Sequence, residues 1–245
     1  MKNTLSLLAG LMLAGSSAAW AAGQVTVHTA QGSATLGEVQ DLAQVVTQPA
    51  LINDVWWRGA VIAERGASAT ALQQQRKTLD DLRAWQAQSS GERAAAIGEV
   101  LRQLSSVSVT GRQFVSLDPD WIRLHPADNR RLQGDYDLYV TPPSTSVWLM
   151  GALHGAGKTS WQPGQTVRGY LAGHERLSGA EKSEVTVIAP SGETQRVPVA
   201  YWNHRHVEVA PGSIIWLGFS AWSLPDGYDD LNQRMISVLT HRVPE

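Results

Sequence analysis

Residues 67–106 read ASATALQQQRKTLDDLRAWQAQSSGERAAAIGEVLRQLSS. The segment has no proline and is rich in Ala, Gln, Leu, Arg and Glu, which favour helices. Ser89 and Glu92 have the spacing of a capping box, so we expect a second helix to begin there. Apolar residues recur at helical spacing on both sides of this point: Leu72, Leu79 and Leu82, then Ile97, Val100, Leu101 and Leu104. The segment therefore predicts a helical hairpin.

Alternating or compact apolar runs flank the hairpin and predict β-strands. A short helix around Leu42 that ends near Pro49 precedes a compact apolar run at residues 55–62. The strands predicted around the hairpin cover residues 24–29, 107–117, 121–124 and 132–140. A helical hairpin within β-rich sequence indicates an insertion into one domain, which we place at residues 22–141.

A second domain is predicted at residues 145–222. Two prolines in Thr141-Pro142-Pro143-Ser144 form a stiff, extended connector, which makes this segment the domain boundary. A short helix is expected at residues 167–171, and strands are expected at residues 147–151, 185–188, 197–202 and 214–219. Two successive units of this kind predict tandem α+β domains of ubiquitin-like size.

Residues 226–242 predict a C-terminal amphipathic helix. One face carries Tyr228, Leu231, Met235, Val238, Leu239 and the stem of Arg242. The simpler interpretation buries this face against the second domain. Alternatively, the helix leaves its domain and assembles with other copies in the outer membrane. At 1.5 Å per residue it would span roughly 24 Å, which is less than the bilayer core of roughly 30 Å.

The first 21 residues have the features of a signal peptide. Lys2 is followed by an apolar run, Leu5–Leu13, and then by small residues around Trp20 in Ala19-Trp20-Ala21. The chain contains no cysteine, which excludes disulfides, thiolate metal sites and a lipid anchor on cysteine. After the leader, no apolar run is long enough for a transmembrane helix. We therefore expect a soluble periplasmic protein of a Gram-negative cell.

Several motifs resemble functional sites but lack an essential residue. The segment GALHGAGKT, residues 151–159, has Ala152 where a phosphate-binding loop requires glycine. His174-Glu175 lacks the second histidine of a metalloprotease helix. Asp118 and Asp120 lie in one turn, so they cannot face each other across a glycosidic bond.

Two further patterns argue against metal and nucleic acid. His204, His206 and Glu208 would point in parallel on one strand rather than converge on a metal. The basic residues are scattered and the net charge is −2, so nucleic acid is not an expected partner. We predict no catalytic residues, no cofactor and no metal, and therefore a protein that is not an enzyme.

Tryptophan is abundant, with ten in the chain, and indoles either pack in cores or stack on sugar rings. Trp148 and Trp216 lie in apolar strands and are expected in the core. Trp56 and Trp57 must face opposite ways in extended backbone, so one of them could be exposed. Arg112 stands alone between two apolar stretches, where it could brace the hairpin against a sheet or contact a ligand. We favour the brace.

On these segments the chain resembles the GfcC/YjbG family of capsule and exopolysaccharide biosynthesis proteins. The residues that carry the resemblance are spread over nearly the whole chain after the leader. They are Val46-Thr47-Gln48-Pro49, Trp56-Trp57, Gly59-Ala60, Thr110-Gly111-Arg112, Leu117-Asp118-Pro119-Asp120, Gly134-Asp135-Tyr136, Pro198-Val199-Ala200, Trp202-Asn203, Arg205-His206-Val207-Glu208, Pro211-Gly212-Ser213, Leu239-Thr240 and Arg242-Val243-Pro244.

The resemblance implies tandem β-grasp domains and a C-terminal amphipathic helix, in which the family is similar to outer-membrane polysaccharide exporters of the Wza type. It implies that the helical hairpin is inserted in the first β-grasp domain. It also implies a central pocket near Arg112 and no known catalysis. The expected function is a periplasmic accessory role in polysaccharide assembly and export. Its partners would be polysaccharide or outer-membrane polysaccharide export proteins. An oligomeric scaffold held in the outer membrane by the C-terminal helix is the alternative, and a glycan-modifying enzyme is the weakest one. The expected binding residues are Arg112, Trp56, Trp57, Trp202, Asn203, Arg205 and His206.

Overall fold

The computed structural model describes residues 22–49, 51, 55–203 and 205–244. The predicted signal peptide, residues 1–21, lies outside the described residues. The described part forms two mixed β-sheets and several α-helices, which confirms the predicted α+β class. Within this part, no helix is both long enough and apolar enough to cross a membrane.

Strands and helices alternate along the described part of the chain. The strands are β1 (Gly23–Thr29), β2 (Gly32–Val39), β3 (Val61–Glu64), β4 (Asp135–Tyr139), β5 (Ser146–Gly151), β6 (Gly157–Ser160), β7 (Glu184–Ile188), β8 (Thr194–Pro198) and β9 (Ile214–Leu217). The helices are α1 (Leu42–Val46), α2 (Arg65–Gln88), α3 (Gly91–Ser105), α4 (Pro119–Leu124), α5 (Val167–Leu171) and α6 (Leu231–Thr240).

The two sheets share one plan. Their strand orders are β2-β1-β4-β3 and β6-β5-β9-β7-β8. In each sheet the first strand forms an antiparallel hairpin with the second strand and pairs in parallel with the last one. A five-residue helix follows each hairpin: α1 after β2, and α5 after β6. The repetition expected from the sequence is therefore present in the strand pairing.

The hairpin of α2 and α3 confirms the prediction for residues 67–106. The predicted capping box is wrong, because Ser90 is the N-cap residue of α3 and the Ser89 hydroxyl instead donates to the Trp85 carbonyl (2.9 Å). The apolar stripes are buried through Leu79, Leu82, Ile97, Val100 and Leu104, whereas Leu72 remains 40% exposed.

Although the hairpin interrupts the first half of the sequence, its apolar face packs into the core of the second sheet. Trp85 of α2 meets Phe219 edge-on, with ring centroids 4.7 Å apart. The Gln103 amide of α3 donates to the Gly151 carbonyl (3.1 Å) and accepts from the Gly151 N–H (2.7 Å). These two bonds attach the last residue of β5 to α3. The hairpin therefore fills the second core rather than the first.

Helix α6 is shorter than the predicted segment 226–242 because it begins at Leu231 and ends at Thr240. Its apolar face is buried in the same core through Leu231, Met235 and Leu239. On its polar side Arg234 forms an ion pair with Asp81 of α2. In this structure the C-terminal helix thus packs against the hairpin.

Three predicted strands differ from the structure. Residues 121–124 belong to helix α4, because Asp118 accepts from the N–H groups of Asp120 and Trp121 while Pro119 occupies the first turn. Residues 107–117 make only isolated bridges, at Val109 and Arg112. The strand expected at residues 197–202 corresponds to β8, which begins at Thr194 and ends at Pro198. A turn follows at residues 201–203.

Candidate functional site

A cavity of about 150 Å³ lies between the two sheets. Its walls come from both halves of the chain, from the proline connector and from the segment after α6. The lining residues are Trp56, Gly59, Val61, Val107, Ser108, Arg112, Thr141, Ser144, Trp148, Met150, Pro190, Gly212, Ile214, Arg242, Val243 and Pro244. The cavity therefore forms only when all four parts of the chain are in place.

Arg112 is held at this cavity by the backbone just before it. The Gly111 N–H donates to the Ser68 hydroxyl (2.9 Å), and the Gly111 carbonyl accepts from the Glu64 N–H (3.0 Å). A Cβ on Gly111 would lie 2.4 Å from the Glu64 carbonyl oxygen, so only glycine allows this close approach. The start of α2 thus fixes where the Arg112 side chain emerges.

The Arg112 guanidinium is buried, with only 6% of the residue exposed. Nη2 donates to the Pro190 carbonyl (2.6 Å), and Nη1 donates to the Thr240 carbonyl (3.3 Å). The side chain also lies against Phe114, 5.7 Å from its ring centroid. The side chain thus joins the loop after β7 to the end of α6, whereas the sequence predicted a brace between the hairpin and a sheet.

Arg112 has a second cation as a neighbour. Burial, and after it the charge of Arg242, lowers the pKa of Arg112 to about 10, so the side chain stays charged at neutral pH. Arg242 donates from Nη2 to the Gly212 carbonyl (2.8 Å). Among the described residues that line the cavity, none is Asp or Glu. Arg112 therefore brings a positive charge to a partly enclosed space, and such a charge attracts an anion.

Two tryptophans form apolar walls beside these cations. Trp56 fits only because its neighbours are glycines: a Cβ on Gly59 would lie 2.2 Å from the Trp56 ring, and one on Gly212 would lie 2.9 Å from it. Trp57 instead packs against the core of the first sheet. The pair lies at a turn rather than in extended backbone, and neither indole is exposed. Trp148 lines the cavity and carries the Lys158 ammonium 4.8 Å from its ring centroid.

The remaining predicted binding residues lie elsewhere. Trp202 is 76% exposed, and Asn203, Arg205 and His206 are also exposed around the turn after β8. His206 Nε2 lies 3.3 Å from Glu208 Oε1. None of these four lines the cavity. The structure therefore brings Trp56 and Arg112 together and separates them from the Trp202–His206 segment.

Sequence reasoning missed Arg242 and Trp148 as cavity residues. Arg242 had a signal, since it belongs to a closing segment on which the resemblance rests. Its approach to Arg112 depends on backbone bonds between distant segments: Thr110 N–H donates to the His241 carbonyl (2.9 Å), and Val243 N–H donates to the Ser108 carbonyl (2.8 Å). No local pattern reveals a contact of this kind.

The motifs rejected from the sequence have structural roles. Residues 151–159 cover the end of β5, the turn at residues 152–156 and the start of the antiparallel strand β6, whereas a phosphate-binding loop leads from a strand into a helix. Asp118 caps α4. Within the described part of the chain, no group of three or more His, Asp or Glu residues could hold a metal ion.

Comparison with known proteins places these features in a family context. The model of the GfcC capsule biosynthesis N-terminal domain matches residues 19–143, and that of the C-terminal domain matches residues 155–244. The chain is also similar to the Escherichia coli (strain K12) protein YjbG, with 43% identity over 244 residues that cover 98% of each chain.

Proposed function

The chain belongs to the GfcC capsule biosynthesis family, and on that premise we propose that it is a periplasmic accessory protein for polysaccharide assembly and export. It binds an acidic group of the glycan, or of an export partner, in the cavity between the sheets. It carries out no chemistry on the glycan. We further propose that each sheet and its short helix form a β-grasp unit, which the common strand plan supports.

One observation carries the proposal: the Arg112 guanidinium is buried at the cavity, and the acceptors of its hydrogen bonds, the Pro190 and Thr240 carbonyls, are neutral. Burying an unpaired charge costs several kcal/mol, and an anion in the cavity would offset part of that cost. A guanidinium has five N–H donors, of which Arg112 uses two on the Pro190 and Thr240 carbonyls, so donors remain for the carboxylate of an acidic sugar.

The shape of the cavity favours one sugar unit as its occupant. Its volume of about 150 Å³ limits the occupant to a small group. The indoles of Trp56 and Trp148 offer flat apolar surfaces beside the cations, as sugar-binding sites require. The site thus fits a single acidic sugar or the end of a chain.

The absence of a carboxylate among the described lining residues also supports a binding role. Hydrolysis of a glycosidic bond uses two carboxyl groups about 5–9.5 Å apart, one as acid and one as base or nucleophile. The described cavity lining supplies cations, indoles and hydroxyls instead. This composition suits recognition and gives no acid–base pair.

The alternative role, an outer-membrane scaffold held by the C-terminal helix, is less well supported. Helix α6 has ten residues, or about 15 Å at 1.5 Å per residue, which is half the thickness of a bilayer core. Its apolar face already lies in the second core. Insertion would require α6 to abandon that core.

Isothermal titration calorimetry with galacturonate, and with neutral galactose as the matched ligand, tests the cavity. The full mature protein should bind galacturonate saturably and should not bind galactose. Arg112→Gln should remove most of the binding, while Arg123→Gln, which changes an exposed arginine on α4, should leave it intact. Arg242→Gln serves as a second cavity variant in case Arg112→Gln does not fold, as judged by circular dichroism. Equal binding of both sugars, or no binding by the wild type, would overturn the proposal.

A further inference from the structure

A second candidate site is the groove beside the turn after β8, which we call the aromatic–basic groove. It is lined by Arg168, Leu171, Ala172, Arg176, Lys182, Val199, Ala200, Tyr201 and Trp202, and no residue is shared with the cavity described above. Three of these residues are basic, and two are aromatic. None of these nine residues is acidic.

The aromatic residues of the groove lie on a hydrogen-bonded turn. The Asn203 N–H donates to the Ala200 carbonyl (3.2 Å), and the Val199 N–H donates to the Ser183 carbonyl (2.9 Å), so the backbone on both sides is tied down. Tyr201 is 83% exposed and Trp202 is 76% exposed. Tryptophan is highly buried on average, so an exposed pair on an ordered turn indicates a contact surface.

The basic side comes from α5 and from the segment leading to β7. The Arg176 guanidinium is fixed by backbone carbonyls, with Nε donating to Glu181 (3.1 Å) and Nη2 to Lys182 (3.4 Å). These acceptors are neutral, so the charge of Arg176 is not cancelled. Arg168 and Lys182 are exposed and form no ion pair with a described residue. Three cations therefore gather on one surface of a chain whose net charge is −2.

We propose that the aromatic–basic groove binds an acidic polysaccharide chain. The inference rests on the proposed function, to which it adds a second contact for the same class of ligand. Charge complementarity identifies the occupant, since carboxylate groups along a chain meet Arg168, Arg176 and Lys182. The rings of Tyr201 and Trp202 then stack on the apolar faces of the sugars. The cavity holds one sugar unit, and the groove holds the chain.

An anionic membrane surface is the rival occupant, because exposed aromatic and basic residues also occur at bilayer interfaces. The observations favour the glycan. Leu171 is partly buried and Val199 is buried, so the lining exposes no large aliphatic side chain for insertion into lipid. A concave surface also suits a chain better than a flat bilayer.

The test measures binding of polygalacturonate to the full mature protein by calorimetry, with dextran as the neutral polymer. Wild type should bind polygalacturonate, more weakly as salt is added, and should not bind dextran. Trp202→Ala and Lys182→Gln should each weaken binding, the former by roughly tenfold as expected for an aromatic anchor. Trp222→Ala is the matched control because Trp222 is 77% exposed and lies outside the groove, and Lys77→Gln is the control for charge.

The outcomes separate the two proposals. If Arg112→Gln weakens polygalacturonate binding while Trp202→Ala and Lys182→Gln do not, the groove is refuted and the cavity stands. If the groove variants lose polymer binding but the wild type does not bind galacturonate, the cavity is refuted and the groove stands. If the protein does not bind polygalacturonate but sediments with phosphatidylglycerol vesicles, the groove proposal is overturned in favour of a membrane surface.

Discussion

The two sheets follow the same plan but are filled in different ways. The core of the first sheet is closed mainly by short local elements, such as α1 and α4, which contribute Leu42 and Ile122. The core of the second sheet takes α2 and α3 from the first half of the chain and α6 from the end of the described chain. Similar strand pairing can therefore be stabilised by helices from quite different parts of a sequence.

The largest effect is expected from ending the chain at Pro225, which removes α6. Leu231, Met235 and Leu239 are fully buried, and each such side chain contributes about 1.5–3 kcal/mol. The total is comparable to the roughly 5–15 kcal/mol that stabilises a whole domain. We expect loss of cooperative unfolding, measured by differential scanning calorimetry. An unchanged melting temperature would instead support a helix that acts outside the core.

A smaller effect is expected from Leu82→Ala in α2, which should destabilise the protein by about 2–5 kcal/mol. Leu82 is fully buried in the second core, whereas Leu72 on the same helix is 40% exposed and supplies the control, Leu72→Ala. Hydrogen exchange should show protection lost in β5 and β9 rather than in β1 and β4. Loss of protection in the first sheet instead would show that the hairpin stabilises the core of the first sheet.

The smallest effect is expected from Asp137→Asn in the first sheet. Hydrogen bonds from Arg65, and then from His28, lower the pKa of Asp137, so the charged carboxylate is favoured in the folded state. Its contribution is present above the ordinary Asp pKa of about 3.9 and is lost as the pH falls through the lowered value. Urea unfolding should show a deficit in the variant at pH 7 that vanishes near pH 2. A pH-independent deficit would mean that the ion pair is not its cause.

Local patterns predicted several elements of this fold. The spacing of Leu79, Leu82, Ile97 and Val100 identified both helices of the hairpin, and the alternation around Val25 and Val27 identified β1. The family resemblance was confirmed by the models that match both halves.

Other features depend on contacts that local patterns do not encode. The apolar residues Trp121, Ile122 and Leu124 predict a strand, but the cap at Asp118 starts helix α4 there instead. The sequence placed the hairpin in the first domain, but no local signal indicated which core its apolar face would enter. For the site, Arg112 and Trp56 were predicted, whereas the approach of Arg242 arises from pairing between segments more than 100 residues apart.

The hairpin lies in the first half of the chain but packs in the second core, and this limits which segments can be exchanged between relatives. A chimaera joined at the proline connector would take the second sheet from one protein and the helices α2 and α3 that pack against it from another. Because Trp85 meets Phe219 and Gln103 bonds to Gly151, these helices must travel with the second half for the interface to stay matched. The natural unit of recombination in this molecule is therefore the second sheet together with the hairpin, although the two are far apart in the gene.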